Sequence, residues 1–451
     1  MNKFKAKILV ASVFLICTSF PNLTAETPKK ENDFPESYSG FTEEENPFTV
    51  KGFIRQMVRI TDATETPENK GTDYPSDSVT SIRLGFLYEK SNVKFEFEGN
   101  KDIIFSNYMD EPSFDFTWMR RNRNRLLYME DQGRTDSYFT RDFVHRMYWS
   151  YNSEKFKFSA GRQAISWGQG RFLNPLDLIT PTGPFILDIE DVAGSDSVDF
   201  TYYLGTYNMI EAVIIPYRRK DNPDLGDLRY LDTNSLLRFK GTHRNLDYSL
   251  IGGHHFHSWV WGVDLSLTAF DASFRFAYLG RSERNLTEYP HYNQDDLPPQ
   301  VSHQVVLGTG YKFFNKLSTN FEIFYNSACY SKNPAFRENL SDEALISTDY
   351  RPPYSADETF FATSGRITTK NPVLIELSLS HEVTDLITAS IFFIGDPAGR
   401  SAMYGPSLNY NISDNAVISG GGWLSDVPSD KEHAEFSSIN PMGYLFMRMH
   451  F

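Results

Sequence analysis

The chain is short of three things, and each shortage removes a class of protein. It has 2 cysteines in 451 residues, Cys17 and Cys329. Cys17 falls in a stretch read below as a removed leader, so no intrachain disulfide can form in what remains. It has no apolar run of the ~20 residues that a membrane-crossing helix needs, the longest being Ile8 to Phe20. That excludes a helical membrane bundle. Basic residues are outnumbered, 44 Lys and Arg against 58 Asp and Glu, for a net charge of −14. Loss of Lys3, Lys5 and Lys7 with the leader makes the remainder more acidic still, which excludes a nucleic-acid partner held by overall charge. Catalytic signatures are missing too: no G-x-S-x-G elbow, H-E-x-x-H or P-loop pattern occurs. A lipid hydrolase built from Ser and His on neighbouring strands leaves no such pattern and stays as a distant alternative.

Aromatic residues are what the chain has in quantity, with 37 Phe and 25 Tyr, yet the mean hydropathy is −0.43. Alternation between a lipid-facing and a water-facing side averages hydropathy away in this manner. Ile82, Leu84, Phe86 and Tyr88 interleave with Arg83, Gly85 and Glu89, and Val93, Phe95 and Phe97 with Lys94, Glu96 and Glu98. Trp259 to Leu267, Phe274 to Tyr278 and Val373 to Leu379 repeat the pattern. Period-two alternation gives each strand one apolar and one charged face. The runs reach roughly ten residues, the length of a tilted membrane-crossing strand, beyond the ~5–6 of a soluble sandwich.

The basic start, apolar middle and Leu23-Thr24-Ala25 read as a secretory signal over residues 1–25. Residues 26–47 read as a flexible periplasmic lead-in, and 48–451 as one barrel. Short links near 90–92, 152–154, 205–206, 241–245, 268–271, 315–316, 382–385 and 412–414 alternate with longer connections on the other side, of which two, at 257–258 and 396–402, are shorter than the pattern predicts. Eight short turns and nine outer connections predict an all-β, transmembrane antiparallel barrel of about 18 strands, with 16 or 20 as alternatives. The placement that follows is the outer membrane of a Gram-negative-type bacterium, with lipid as a partner. No cofactor or metal is expected: His255 and His257 share one strand face and His254 the other, without further ligands nearby, and read as interfacial polar residues.

One stretch breaks the pattern. Gly161 to Pro181, GRQAISWGQGRFLNPLDLITP, starts as a strand and stops at Gly168 and Gly170. These glycines permit a turn out of the strand, and Pro175 and Pro181 prevent onward pairing. Trp167 is placed to anchor such a loop, with Asn174 and Asp177 fixing its bend by local hydrogen bonds. The expectation is a loop folded into the lumen; a loop resting outward on the rim is the other arrangement. Arg162, Trp167, Arg171, Asp177, Asp188 and Asp191, with Arg120, Arg121, Arg123 and Arg125 of another long connection, are the candidate lining of a constriction. Opposed charges across a narrow water-filled opening select permeating ions, and arginine suits anionic groups. The same residues as solvated surface loops would have no such role.

The succession Arg162-Gln163, Trp167-Gly168 and Asn174-Pro175-Leu176-Asp177 resembles that of a group of outer-membrane porin-like proteins similar in style to alginate-export barrels. The resemblance covers about 20 residues and implies a channel for small hydrophilic solutes. The last strand, with Leu445, Met447 and Met449 on one face and Phe451 at its end, resembles the signature read by the barrel-assembly machinery. A surface-exposed structural or adhesive barrel is the alternative function.

Overall fold

Alternation fixes the architecture. In a computed structural model, Ile82, Leu84 and Phe86 stand 39–46% exposed while Ser81 and Arg83 on the other face are 0% and 6% exposed. A water-soluble sheet does the reverse. This wall is apolar outside and polar inside, as a barrel immersed in lipid must be. The structure describes residues 46–62, 73–110, 126–127, 129–180, 192, 194–216, 233–255, 258–282, 301–313, 316–327, 329, 367, 369–428, 434–437 and 439–451.

The first strands are β1 (Phe48–Thr61), β2 (Ser76–Lys90), β3 (Val93–Ser106), β4 (Glu130–Arg134), β5 (Phe139–Asn152), β6 (Phe156–Gln163) and β7 (Ser195–Tyr203). There follow β8 (Asn208–Ile215), β9 (Asn234–His243), β10 (Leu246–His255), β11 (Ser258–Ala269), β12 (Ala272–Ser282) and β13 (Val301–Lys312). The last are β14 (Leu317–Asn326), β15 (Val373–Glu382), β16 (Ile387–Asp396), β17 (Ser401–Ser413), β18 (Ala416–Asp426) and β19 (Met442–His450). Each pairs antiparallel with the next, except that β3 pairs with β5, whose other edge takes β4 and β6; β1 pairs with β2 and with β19, the latter from Phe53↔His450 to Thr61↔Met442. Phe451 completes the closure by exchanging backbone hydrogen bonds with Gly52 at 2.9 and 3.0 Å. Closure leaves no strand edge in lipid, where an unpaired amide costs several kcal/mol.

Setting β4 aside, 18 strands form the wall, the number that the turns predict. The eight short connections follow β2, β5, β7, β9, β11, β13, β15 and β17. One two-residue connection is Phe270-Asp271, where both residues have positive φ, 55° and 59°, as a type I′ hairpin requires. The signal region, the lead-in up to residue 45, Arg120, Arg121, Arg123, Arg125, Asp188, Asp191 and His257 lie outside the described residues.

β4 has no counterpart in the sequence reading. β6 pairs with β7 along its whole length but with β5 only from Met147 to Asn152. Beyond Met147 the edge of β5 would be bare, and β4 covers it from Phe143 to Phe139. Nothing in Glu-Asp-Gln-Gly-Arg favours a strand; the open edge imposes one.

Candidate functional site

The place where β6 leaves the wall builds the site. Gly161 has φ +126°, and any Cβ there would run into the Met147 carbonyl. Just beyond it, Arg162 is 1% exposed. Its Nε and Nη2 donate to Asp196 at 2.7 and 3.1 Å, Nη1 to the Val144 carbonyl at 2.9 Å and Nη2 also to the Leu127 carbonyl at 2.5 Å. The Leu127 N–H donates in turn to Asp196 at 2.7 Å. One guanidinium thereby joins β5, β7 and the segment leading into β4. The structure places Arg162 in this seam of the wall, out of contact with water.

From Gln163 the chain crosses into the barrel and folds back on itself. Its two limbs are tied together at three levels: Thr180 Oγ1 donates to the Ile165 carbonyl at 2.7 Å, Ser166 Oγ to Asp177 at 2.9 Å and Asn174 Nδ2 to the Trp167 carbonyl at 2.7 Å. Asn174 also accepts from the Leu176 N–H at 3.3 Å, the local bend expected of it. Gly168 has φ +89°, with Asn174 filling the space where a Cβ would stand. Asp177 is buried as an internal tie of the loop.

The loop is held to the wall by an apolar underside. Ile165, Trp167, Leu173, Leu176, Leu178 and Ile179 form one buried cluster with Val213, Ile215, Leu236, Ile251, Val260, Leu279, Val306, Phe324 and Leu374, contributed by β8 through β15. Each such side chain contributes roughly 1.5–3 kcal/mol when taken out of water. Gly262 on β11 makes room for Leu176, whose methyl occupies the position of a Cβ. The Arg238 guanidinium lies 4.9 Å from the Trp167 ring centre while pairing with Glu211 at 2.5 Å.

Two polar anchors finish the attachment. Glu322 of β14 accepts the backbone N–H groups of Arg171 at 3.1 Å and Phe172 at 3.1 Å, and pairs with Arg275 of β12 at 3.1 Å. His255 of β10 is 0% exposed, with Nε2 2.9 Å from the Leu178 carbonyl and Nδ1 3.4 Å from Arg281. That corrects the interfacial reading of His255: it points inward and pins the loop. Arg171 itself is exposed at the loop surface. Neither anchor is visible from the loop's own sequence. The available signal is in the wall, where Val213, Ile215, Leu236, Ile251 and Val260 are apolar on the face that should be polar.

A second segment also turns inward. Ala434–Phe436, between β18 and β19, is fully buried, and Phe436 joins the same apolar cluster beside Ile367, Ile394 and Met403. The lumen between these segments and the far wall is charged. Arg55, Arg83, Arg146 and Arg448 belong to β1, β2, β5 and β19, partly offset by Glu96, Glu98 and Asp102 of β3; Asp199, Glu211, Asp264, Glu322 and Glu376 stand on β7, β8, β11, β14 and β15. Among the described residues no group of three or more His, Cys, Asp or Glu is placed to hold a metal ion.

No protein-family model matches the chain, and no curated protein does. Solved structures do. OccK8 (OprE) of Pseudomonas aeruginosa aligns at TM-score 0.53 and 8% identity over 92% of this chain and 99% of its own. OccAB4 of Acinetobacter baumannii aligns at 0.52 and 9% over 90% and 99%, and OccAB1 of the same organism at 0.52 and 10% over 90% and 96%. At these identities the likeness is one of fold, and the fold is that of outer-membrane porins.

Proposed function

We propose that the protein is an outer-membrane channel for small hydrophilic solutes, exported by a cleaved signal over residues 1–25, with a preference for anionic ones. The observation that carries this reading is the loop of residues 164–180, which folds into the lumen of an inside-out barrel and whose described contacts bind it to β8 through β16. Arginines on β1, β2, β5 and β19 then face a wall carrying Asp199, Glu211, Asp264, Glu322 and Glu376, of which Glu211 and Glu322 are paired with Arg238 and Arg275. Such a transverse field, between walls of low dielectric, orients a dipolar solute as it passes. Arg171, exposed on the loop, is the described residue of the original set that is best placed to touch a solute. Arg120, Arg121, Arg123, Arg125, Asp188 and Asp191 complete the proposed constriction, and Trp167 and Asp177 hold its shape. The finer likeness to alginate-export barrels rests on the 20-residue succession around Trp167, and insertion by the assembly machinery on the strand ending at Phe451.

Reconstitution into planar bilayers tests the reading. Discrete conductance steps with an anion-favouring reversal potential are expected, and removal of Arg120, Arg121, Arg123 and Arg125 together should move that potential toward zero. A barrel that stays closed under all conditions would favour a surface structural role instead.

A further inference from the structure

The inward segment between β18 and β19 is held by an arrangement that the passage does not require. Glu435 is 0% exposed, and its Oε2 accepts the backbone N–H groups of Lys370 at 2.7 Å and Asn371 at 3.0 Å. Its other oxygen, Oε1, is buried and has no hydrogen-bond partner. The Glu435 N–H donates to Asp396, the last residue of β16, at 3.0 Å. Asp396 is 1% exposed and also accepts Asn371 Nδ2 at 2.8 Å, Ser401 Oγ at 3.1 Å and the Gly399 N–H at 3.0 Å. Two buried carboxyl groups from separate elements thus share one small volume. The cation facing them is Lys370, and its Nζ donates to Ser437 at 2.7 Å. Two carboxyl groups buried this close together are not readily both ionised, even with Lys370 beside them.

We propose that Ala434–Ser437 is a proton-held flap on the channel, docked while Glu435 carries a proton on its unpartnered oxygen and released when that proton leaves. Docking puts Phe436 into the apolar cluster shared with the constriction loop, so release uncovers the lumen face of β15 to β17. The ionisation behaviour agrees: burial, and then Asp396 beside it, push Glu435 from 4.5 up to about 8, against the pull of the two N–H groups and Lys370. A raised acid binds more protons in the docked than in the undocked state. Its contribution to docking is therefore complete below about 4.5, declines as pH rises and is lost above about 8. The flap's effect on conductance rests on the channel reading; its docking does not.

The test uses the full chain refolded into lipid vesicles. Hydrogen exchange at the amides of Lys370, Asn371 and Glu435 is followed from pH 5 to 10 and corrected for intrinsic exchange, alongside conductance in planar bilayers. Protection should fall about tenfold per pH unit between about 5 and 8 and level off above 8, with a larger open level as it falls. Glu435→Gln, which keeps an acceptor for both N–H groups without a charge, should stay protected and flat with pH. Protection of the unmodified protein that does not change with pH overturns the flap, as does a pH step that survives in Glu435→Gln. A barrel that never conducts yet loses protection between pH 5 and 8 would sink the channel reading and leave the flap standing. Steady conduction with flat exchange would do the opposite.

Discussion

The two inward segments are fastened by the same device turned around. At the constriction loop a wall carboxylate, Glu322, receives two backbone N–H groups of the loop. At the flap a carboxylate of the segment, Glu435, receives two backbone N–H groups from just before β15. The difference lies in the third neighbour. Glu322 has Arg275 at 3.1 Å, which also offsets Glu376 across the β14–β15 ladder, whereas Glu435 has Asp396 with no arginine beside it among the described residues. A cation beside the acceptor makes one attachment permanent; a second carboxyl makes the other conditional on a proton.

The same substitution in both places should therefore give unlike results. Glu322→Gln removes the carboxylate paired at 3.1 Å with Arg275, which is 6% exposed, and should cost about 3 kcal/mol, read as a lower urea midpoint for unfolding from vesicles. Glu435→Gln should cost under ~1 kcal/mol at pH 6, where the native group is already neutral; equal losses at the two sites would break the comparison. Next in size are the apolar contacts. Leu176→Ala, at a 0% exposed position seated over Gly262, should cost about 2–4 kcal/mol and raise channel noise as the loop loosens. Conductance noise and midpoint both unchanged would mean that the loop is held by its polar anchors alone. Smallest in stability is Arg171→Ala, expected to leave the urea midpoint within ~0.5 kcal/mol while lowering anion preference in reversal-potential measurements. An unaltered preference would take Arg171 out of the solute path.

These contrasts also sort what could be read in advance. Alternation and turn spacing are local, and they carried the barrel and its eight short turns; the strand itself ends at Gln163, five residues before the break read at Gly168. The loop's bend was legible for the same reason, because Asn174 makes its hydrogen bonds within seven residues. Its attachment was not. Glu322 lies 150 residues from Phe172, and in β14 it reads as one more acid on a polar face. Glu435 follows Lys431-Glu432-His433, a run that looks solvated until Asp396 and Lys370 are brought around it. Arg162 was legible as special but not as what it is, since its partners come from three other segments.

The seam at Arg162 has a consequence for how the barrel is made. β4 and β5 form a hairpin joined by four residues, with the Thr135 N–H on the Tyr138 carbonyl at 3.0 Å. Its contacts are close in sequence, so they form quickly and without help from the rest of the chain. With the outer half of the β5 edge occupied, pairing of β6 must end at Met147. The hairpin thus acts as a register stop: it decides where the next strand leaves the wall, and so where the lumen will be crossed.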